Sequence, residues 1–258
     1  MLIDVNAYLG HFAFRQLHSN TGPALLELMD RAGINQAVVS SASAITYRNV
    51  QAGNEEVAAE VRAHRDRLLP FAVINPRYAG WRDDLARCHE ELGMGGLRLY
   101  PNWHAYHLAD PCCLALVQQA GERHMVVSIA VRAEDPRQRH WLVDVPDVDL
   151  DEIAALVQRF PSTQFLVVNG ANFVRSRLGR RDNGLPANYH LEFSRLSALL
   201  HNEIGTLLGQ LGPDRLLFGT GMPFTYPDPA LLKLQVLAAS ETIKEQLAWK
   251  NAERLLAR

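Results

Sequence analysis

Arg98 and Tyr100 lie two residues apart in a short apolar run, and both are of types that bind a carboxylate or steady an oxyanion. Alternate residues of a strand face the same side, so the two groups would point together into one mouth. The stretch Arg132-Ala133-Glu134-Asp135 supplies the acid–base candidates. A carboxylate partly removed from water has a raised pKa and moves protons, and paired carboxylates divide acid and base roles. Here Glu134 or Asp135 would direct a water, with Arg132 beside them on the substrate. Asn6 and Tyr8, again alternate, join Asn169 in offering amide and phenol groups to a small ligand, Tyr8 being suited to polarising a carbonyl. His104 and His107 stand in an aromatic loop at 101–107, where His104 is a further substrate-binding candidate. Each feature also has a plainer reading. Arg98 could pair with a buried acid such as Glu134, and the charged run at 132–140 could be a salt-bridged surface with His140 and Trp141 in a packed loop.

Such groups must be positioned by regular elements. Short apolar, β-rich runs fall at 2–6, 36–40, 69–74, 96–100, 125–130, 164–169, 189–193 and 215–220. Helical patterns separate them at 23–32, 50–67, 81–92, 111–123, 150–160, 196–211 and 229–256, with a weak sixth helix after Asn172. Near-continuous apolar strands such as Phe165-Leu166-Val167-Val168 suit a sheet covered on both faces, and strand–helix alternation implies parallel pairing through right-handed crossovers. Eight units predict an α/β fold of the (β/α)8 TIM barrel type, one domain over 1–258. In such barrels the site lies at the C-terminal strand ends. That rule selects Asn6, Tyr8, Ser40, Asn75, Arg98, Tyr100, the segment 130–135, Asn169, Glu192 and Thr220. No Gly-x-Gly-x-x-Gly follows the first strand, which argues against a dinucleotide-binding sheet.

Three segments carry a resemblance. Leu2-Ile3-Asp4-Val5-Asn6-Ala7-Tyr8 opens the chain, Leu217-Phe218-Gly219-Thr220-Gly221-Met222-Pro223 lies in its last third, and Lys250-Asn251-Ala252-Glu253-Arg254-Leu255 closes it. In this order they resemble the amidohydrolase-related (amidohydrolase 2) family of TIM-barrel metal-dependent hydrolases, lactonases and decarboxylases. The resemblance implies a His-x-His where this chain has Asn6 and Tyr8, a histidine near the fifth strand end where it has Ser128–Arg132, and a histidine where it has Asn169. It implies an aspartate where Gly221 stands. Carboxamides are weak ligands for transition metals, a phenol would have to lose its proton, and glycine offers no side chain. The expectation is therefore a metal-independent site with no cofactor. A relocated metal site built from His11, His104 and His107 is the alternative.

Composition narrows the partners. A formal net charge of −2 gives no basic excess for nucleic acid. No apolar stretch reaches the length of a membrane span, and Cys88, Cys112 and Cys113 form neither a zinc spacing nor an even disulfide set, so a cytoplasmic location is the default. The expected partner is a small, anionic substrate or ligand. Trp81 and Trp103, read as exposed loop residues, suit a homo-oligomer contact or lid packing equally. Three functional readings follow: a metal-independent hydrolase, lactonase-like or acting on related C–O and C–C bonds; a non-catalytic ligand-binding pseudoenzyme; and a metallohydrolase with relocated ligands.

Overall fold

A computed structural model describes residues 1–257; Arg258, the last residue of the expected domain, lies outside the described residues. Eight parallel strands pair in chain order: β1 (Ile3–Leu9), β2 (Gln36–Ser41), β3 (Leu68–Val73), β4 (Gly96–Leu99), β5 (Val126–Ala130), β6 (Phe165–Val168), β7 (Tyr189–Glu192) and β8 (Leu216–Leu217). The ring closes where Val5 N donates to Phe218 O at 3.0 Å and Gly221 N to Asn6 O at 2.8 Å. The fold is the (β/α)8 TIM barrel.

Alternation along each strand divides the core in two. Outward residues such as Leu97, Leu99, Val127 and Ile129 pack under the helices. Inward residues such as Val38, Phe71, Val73 and Leu166 fill the barrel. Strand β1 departs from strict alternation. Its register to β2 runs Asp4 with Ala37 and then Ala7 with Val39, so one residue is extra, a β-bulge. The bulge turns both Asn6 and Tyr8 toward the interior, while Ala7 and Leu9 remain outside.

The outer layer is α1 (Gly22–Ala32), α2 (Val50–Val61), α3 (Trp81–Ala86), α4 (Pro111–Glu122), α5 (Leu150–Arg159), α6 (Glu203–Leu211), α7 (Asp228–Val236), α8 (Glu241–Glu245) and α9 (Asn251–Leu256). Several sequence boundaries are corrected. The helix expected at 50–67 ends at Val61, and the pattern at 229–256 breaks into three helices, with a π-helical turn at Gln246–Lys250 before α9. The segment after β6 carries only 3-10 turns at Phe173–Arg175 and Arg177–Gly179. Trp81 is buried at the start of α3, not exposed, and Trp141 is 84% exposed, not packed. Among the described residues no helix is long and apolar enough to cross a membrane.

Candidate functional site

The barrel centre holds a closed polar network. Arg98, on β4, is wholly buried and makes five hydrogen bonds, none of them to a carboxylate. Its Nη1 donates to Ser40 Oγ at 3.0 Å and Asn6 Oδ1 at 3.3 Å, Nη2 to Val5 O at 3.1 Å, and Nε to Ser128 Oγ at 3.3 Å. Among the described residues Arg98 makes no pair with Glu134, the plainer alternative for this arginine. The guanidinium also lies over the Tyr8 ring, 5.1 Å from its centroid. Asn6 Nδ2 donates to Asn169 Oδ1 at 2.7 Å and Glu192 Oε2 at 3.3 Å, and Asn169 Nδ2 donates to Tyr8 Oη at 2.8 Å. Asn169 takes φ 57°, a left-handed conformation that asparagine tolerates better than most residues. Gly219 is required beside this network, since a Cβ there would meet Glu192 Cγ at 2.5 Å.

An aromatic roof closes the axis above Tyr8. Phe224 meets Tyr8 edge-on at 5.0 Å, Phe12 packs on Phe224 at 5.0 Å, and Trp103 packs on Phe12 at 5.7 Å. Arg15 straps the roof down, donating to Phe224 O at 2.7 Å and Gln138 Oε1 at 2.8 Å. Tyr100 is buried in this interior, and its phenol is pushed well above its ordinary pKa by burial. His104 is buried against Ala44 O at 3.1 Å, with burial lowering its pKa to about 4, so it is a neutral packing group and not part of the open cavity.

The accessible space lies to one side of the axis, over the ends of β5, β7 and β8. A cavity of about 510 Å³ there is walled by Arg132, Arg137, Arg195 and Lys233, with Asp135 the one carboxylate in its lining and Thr220 and Thr225 among its hydroxyl groups. Four cations against one anion make a local basic pocket in a chain of slight negative charge. Asp135 is already engaged, by Arg137 and by Arg195, each at 2.9 Å. Its hydrogen bonds to Arg137 hold its carboxyl well below the usual carboxylate range, helped by Arg195, which suits a fixed anion better than a proton carrier. Glu134 is the opposite case. It is 1% exposed, among the described residues neither oxygen has a hydrogen-bond partner, and burial raises its pKa against the pull of Arg15, Arg139 and Arg195. Arg132 ion-pairs with Asp147 at the cavity edge.

A buried carboxylate lies beneath the cavity floor. Asp4 accepts from Thr220 Oγ1 at 2.5 Å, Thr220 N at 3.1 Å and Asn6 N at 2.8 Å. Its pKa rises to about 7, because burial outweighs these bonds.

With this geometry in hand, the similarities to known proteins become informative. The amidohydrolase family model (Amidohydro_2) matches residues 6–258. The chain belongs to the amidohydrolase family. A curated relative, 2-amino-3-carboxymuconate-6-semialdehyde decarboxylase of Dictyostelium discoideum, is 24% identical over 202 residues, 67% of this chain. The match spans 56% of that protein, so the chain spans about half the length of the curated relative it matches. A dihydroxybenzoic acid decarboxylase from Polaromonas, solved with manganese and the inhibitor 2-nitroresorcinol, superposes with TM-score 0.73 at 17% identity, covering 99% of this chain and 96% of that one. The 4-oxalomesaconate hydratase of Rhodopseudomonas palustris gives TM-score 0.72 at 16% identity, covering 100% and 96%. At these identities the structural likeness carries the fold alone.

The residues at this amidohydrolase's barrel centre do not fit a divalent cation. The Asn6 carbonyl oxygen faces a permanent guanidinium charge, and the Asn6 and Asn169 amide groups are bound to each other and to Tyr8. A metal would be repelled by the first and would have to break the second. A Cβ at Gly221 would lie 3.5 Å from Asn169 Oδ1 and 3.8 Å from Asn6 Nδ2, so position 221 does face this centre, but it supplies no donor. The relocated set is not assembled either. His11 is exposed beside Asn20, His104 is buried on Ala44, and His107 lies 3.6 Å from Glu152. Among the described residues no three His, Cys, Asp or Glu side chains are grouped to hold a metal ion.

Of the site residues expected from sequence, Asn6, Tyr8, Arg98 and Asn169 meet in the buried centre, and Tyr100 is buried in the same interior. Arg132 and Asp135 line the open cavity, Glu134 is buried beside Arg15, Arg139 and Arg195, and His104 stands apart. Sequence reasoning missed Ser194, Arg195 and Lys233. Arg195 follows the seventh strand directly, so extending the strand-end rule three residues past Glu192 would have found it. Lys233 sits inside a helix and gives no local signal.

Proposed function

We propose that this chain is an amidohydrolase-family enzyme that binds a small carboxylate-bearing substrate in the Arg132–Arg195–Lys233 cavity and cleaves a C–O or C–C bond without a metal ion. The observation that carries it is the cation-lined cavity at the C-terminal ends of β5, β7 and β8, where barrels of this type place their chemistry. Arginines engage carboxylates in charge-assisted, bidentate bonds, and a half-enclosed pocket strengthens them. Glu134 lies behind the cavity wall within reach of the charge of Arg195, and its desolvated carboxyl, which holds a proton at a higher pH than an ordinary glutamate, is the proton carrier in this reading. The curated relative named as a decarboxylase of a carboxymuconate semialdehyde supports the substrate class.

The test is a panel of lactones, hydroxybenzoates and carboxylated muconate derivatives, assayed on chelator-treated protein with and without added manganese or zinc. Expected is turnover of a carboxylate-bearing compound that persists in chelator and falls in Arg195→Met. Turnover only with added metal would overturn the metal-free reading.

A second reading has its own observation. Tyr8, Asn6, Arg98 and Asn169 are buried and satisfied by one another, as suits a pseudoenzyme that binds a carboxylate without converting it. Saturable binding without turnover across the panel would favour it.

A further inference from the structure

Lysine is scarce in this chain: Lys233, Lys244 and Lys250 are its only three among 26 lysines and arginines. Lys244 and Lys250 hold ion pairs with Glu241 and Glu245. Among the described residues Lys233 has no such carboxylate contact. It reaches from α7 into the cavity wall, half-buried, and its Nζ donates to Ser194 O. Ser194 N in turn donates to Glu192 Oε1, and Glu192 Oε2 accepts from Asn6 Nδ2 at 3.3 Å. The amine is thus held in place by the backbone of one residue, Ser194, whose other peptide group is anchored to the barrel centre.

Three charged groups act on it. Burial is the largest influence and lowers its pKa, Arg195 lowers it further, and Glu192 and Glu203 oppose both. An amine needs its lone pair to attack a carbonyl, and a desolvated lysine beside another cation is the arrangement that frees it.

We infer that Lys233 is a nucleophilic amine that forms an imine with an oxo acid, a carboxylate bearing a ketone or aldehyde close by, held in this cavity by Arg132 and Arg195. This rests on the carboxylate-binding reading above and names the substrate class within it. The Nζ lone pair attacks the carbonyl carbon, forming the N–C bond. The carbonyl π bond opens as the N–C bond forms, and the oxygen takes one proton from the nitrogen and one from solvent and leaves as water, giving the protonated imine. In a 3-oxo acid the protonated imine then accepts the electron pair of the C–C bond to the carboxylate, which departs as carbon dioxide. The enamine takes a proton on carbon, and water hydrolyses the resulting imine to return the free amine. No oxidant or reductant is consumed.

The test traps the imine. The full chain is incubated with acetoacetate or pyruvate, reduced with sodium borohydride, digested and mapped by mass spectrometry. Expected is a reduced adduct on Lys233 in clear preference to Lys244 and Lys250, whose ammonium groups are held in ion pairs. Benzoate, which has the carboxylate without the carbonyl, should suppress the adduct by occupying the cavity. Lys233→Arg should lose the adduct, and benzoate binding to the parent chain is read by calorimetry. Uniform labelling, or none on Lys233, with benzoate still bound overturns the imine and leaves the carboxylate site standing. Failure of benzoate to bind overturns both.

Discussion

The Arg98 guanidinium donates to the Asn6 carboxamide oxygen at 3.3 Å, so a permanent charge from β4 reaches the bulged first strand across the barrel interior. Truncation to Arg98→Met would leave Ser40, Ser128, Asn6 and two β1 carbonyls without their donor in a dry core. A loss of about 3–5 kcal/mol in unfolding free energy is expected, measured by urea titration. A loss under about 0.5 kcal/mol would mean the network contributes little.

Asp4 should make stability fall with rising pH. Its folded pKa of about 7 lies above its ordinary value of 3.8, so the folded state holds a proton that the unfolded chain has released. Its contribution is complete below about pH 4 and declines by up to about 1.4 kcal/mol per pH unit until about pH 7. Asp4→Asn keeps acceptors for Thr220 N and Asn6 N and removes the titration. The variant's advantage over the parent should grow between pH 4 and 7 and then level off, as followed by denaturant unfolding at each pH.

Glu134→Gln separates chemistry from stability. Gln keeps the side chain's volume and cannot release a proton, and unfolding free energy measured in parallel reports any structural cost of the change in this buried position. If Glu134 moves the proton, turnover drops by about 10²–10⁴-fold while ligand affinity is kept. Stopped assays with parallel calorimetry check both. Unchanged turnover would remove Glu134 from the reaction.

The barrel and its centre were legible in the residues. Apolar strands at eight places, alternating with helices, together with the strand-end rule, select Asn6, Tyr8, Arg98 and Asn169 from sequence alone. What local pattern does not encode is which of these become sealed. Burial of Tyr8 depends on Phe12, Phe224 and Trp103, from three separate loops, folding over it. The open cavity was the harder part. It joins the charged loop after β5 to Arg195 and to a lysine inside α7, residues separated by up to 101 positions (132 to 233) and brought together by the closed barrel.

Asp135→Asn tests how Arg195 is held. Asp135 now occupies this guanidinium at 2.9 Å, with both side chains 13% exposed. Removing the carboxylate frees Arg195 for an incoming anion, and a carboxylate ligand should bind more tightly by about tenfold, roughly 1.4 kcal/mol. A weaker ligand would mean that Asp135 positions Arg195 for binding and does not compete with it. Calorimetry at two salt concentrations reads the outcome, since a freed charge steepens the salt dependence.

The most direct measurement is calorimetric titration of chelator-treated protein with 2,6-dihydroxybenzoate, in the parent and in Arg195→Met. The predicted result is one saturable site without metal, weakened by salt and by at least about tenfold in the variant. Binding that appears only after manganese is added, or that is indifferent to loss of Arg195, would contradict a metal-free carboxylate site in this cavity.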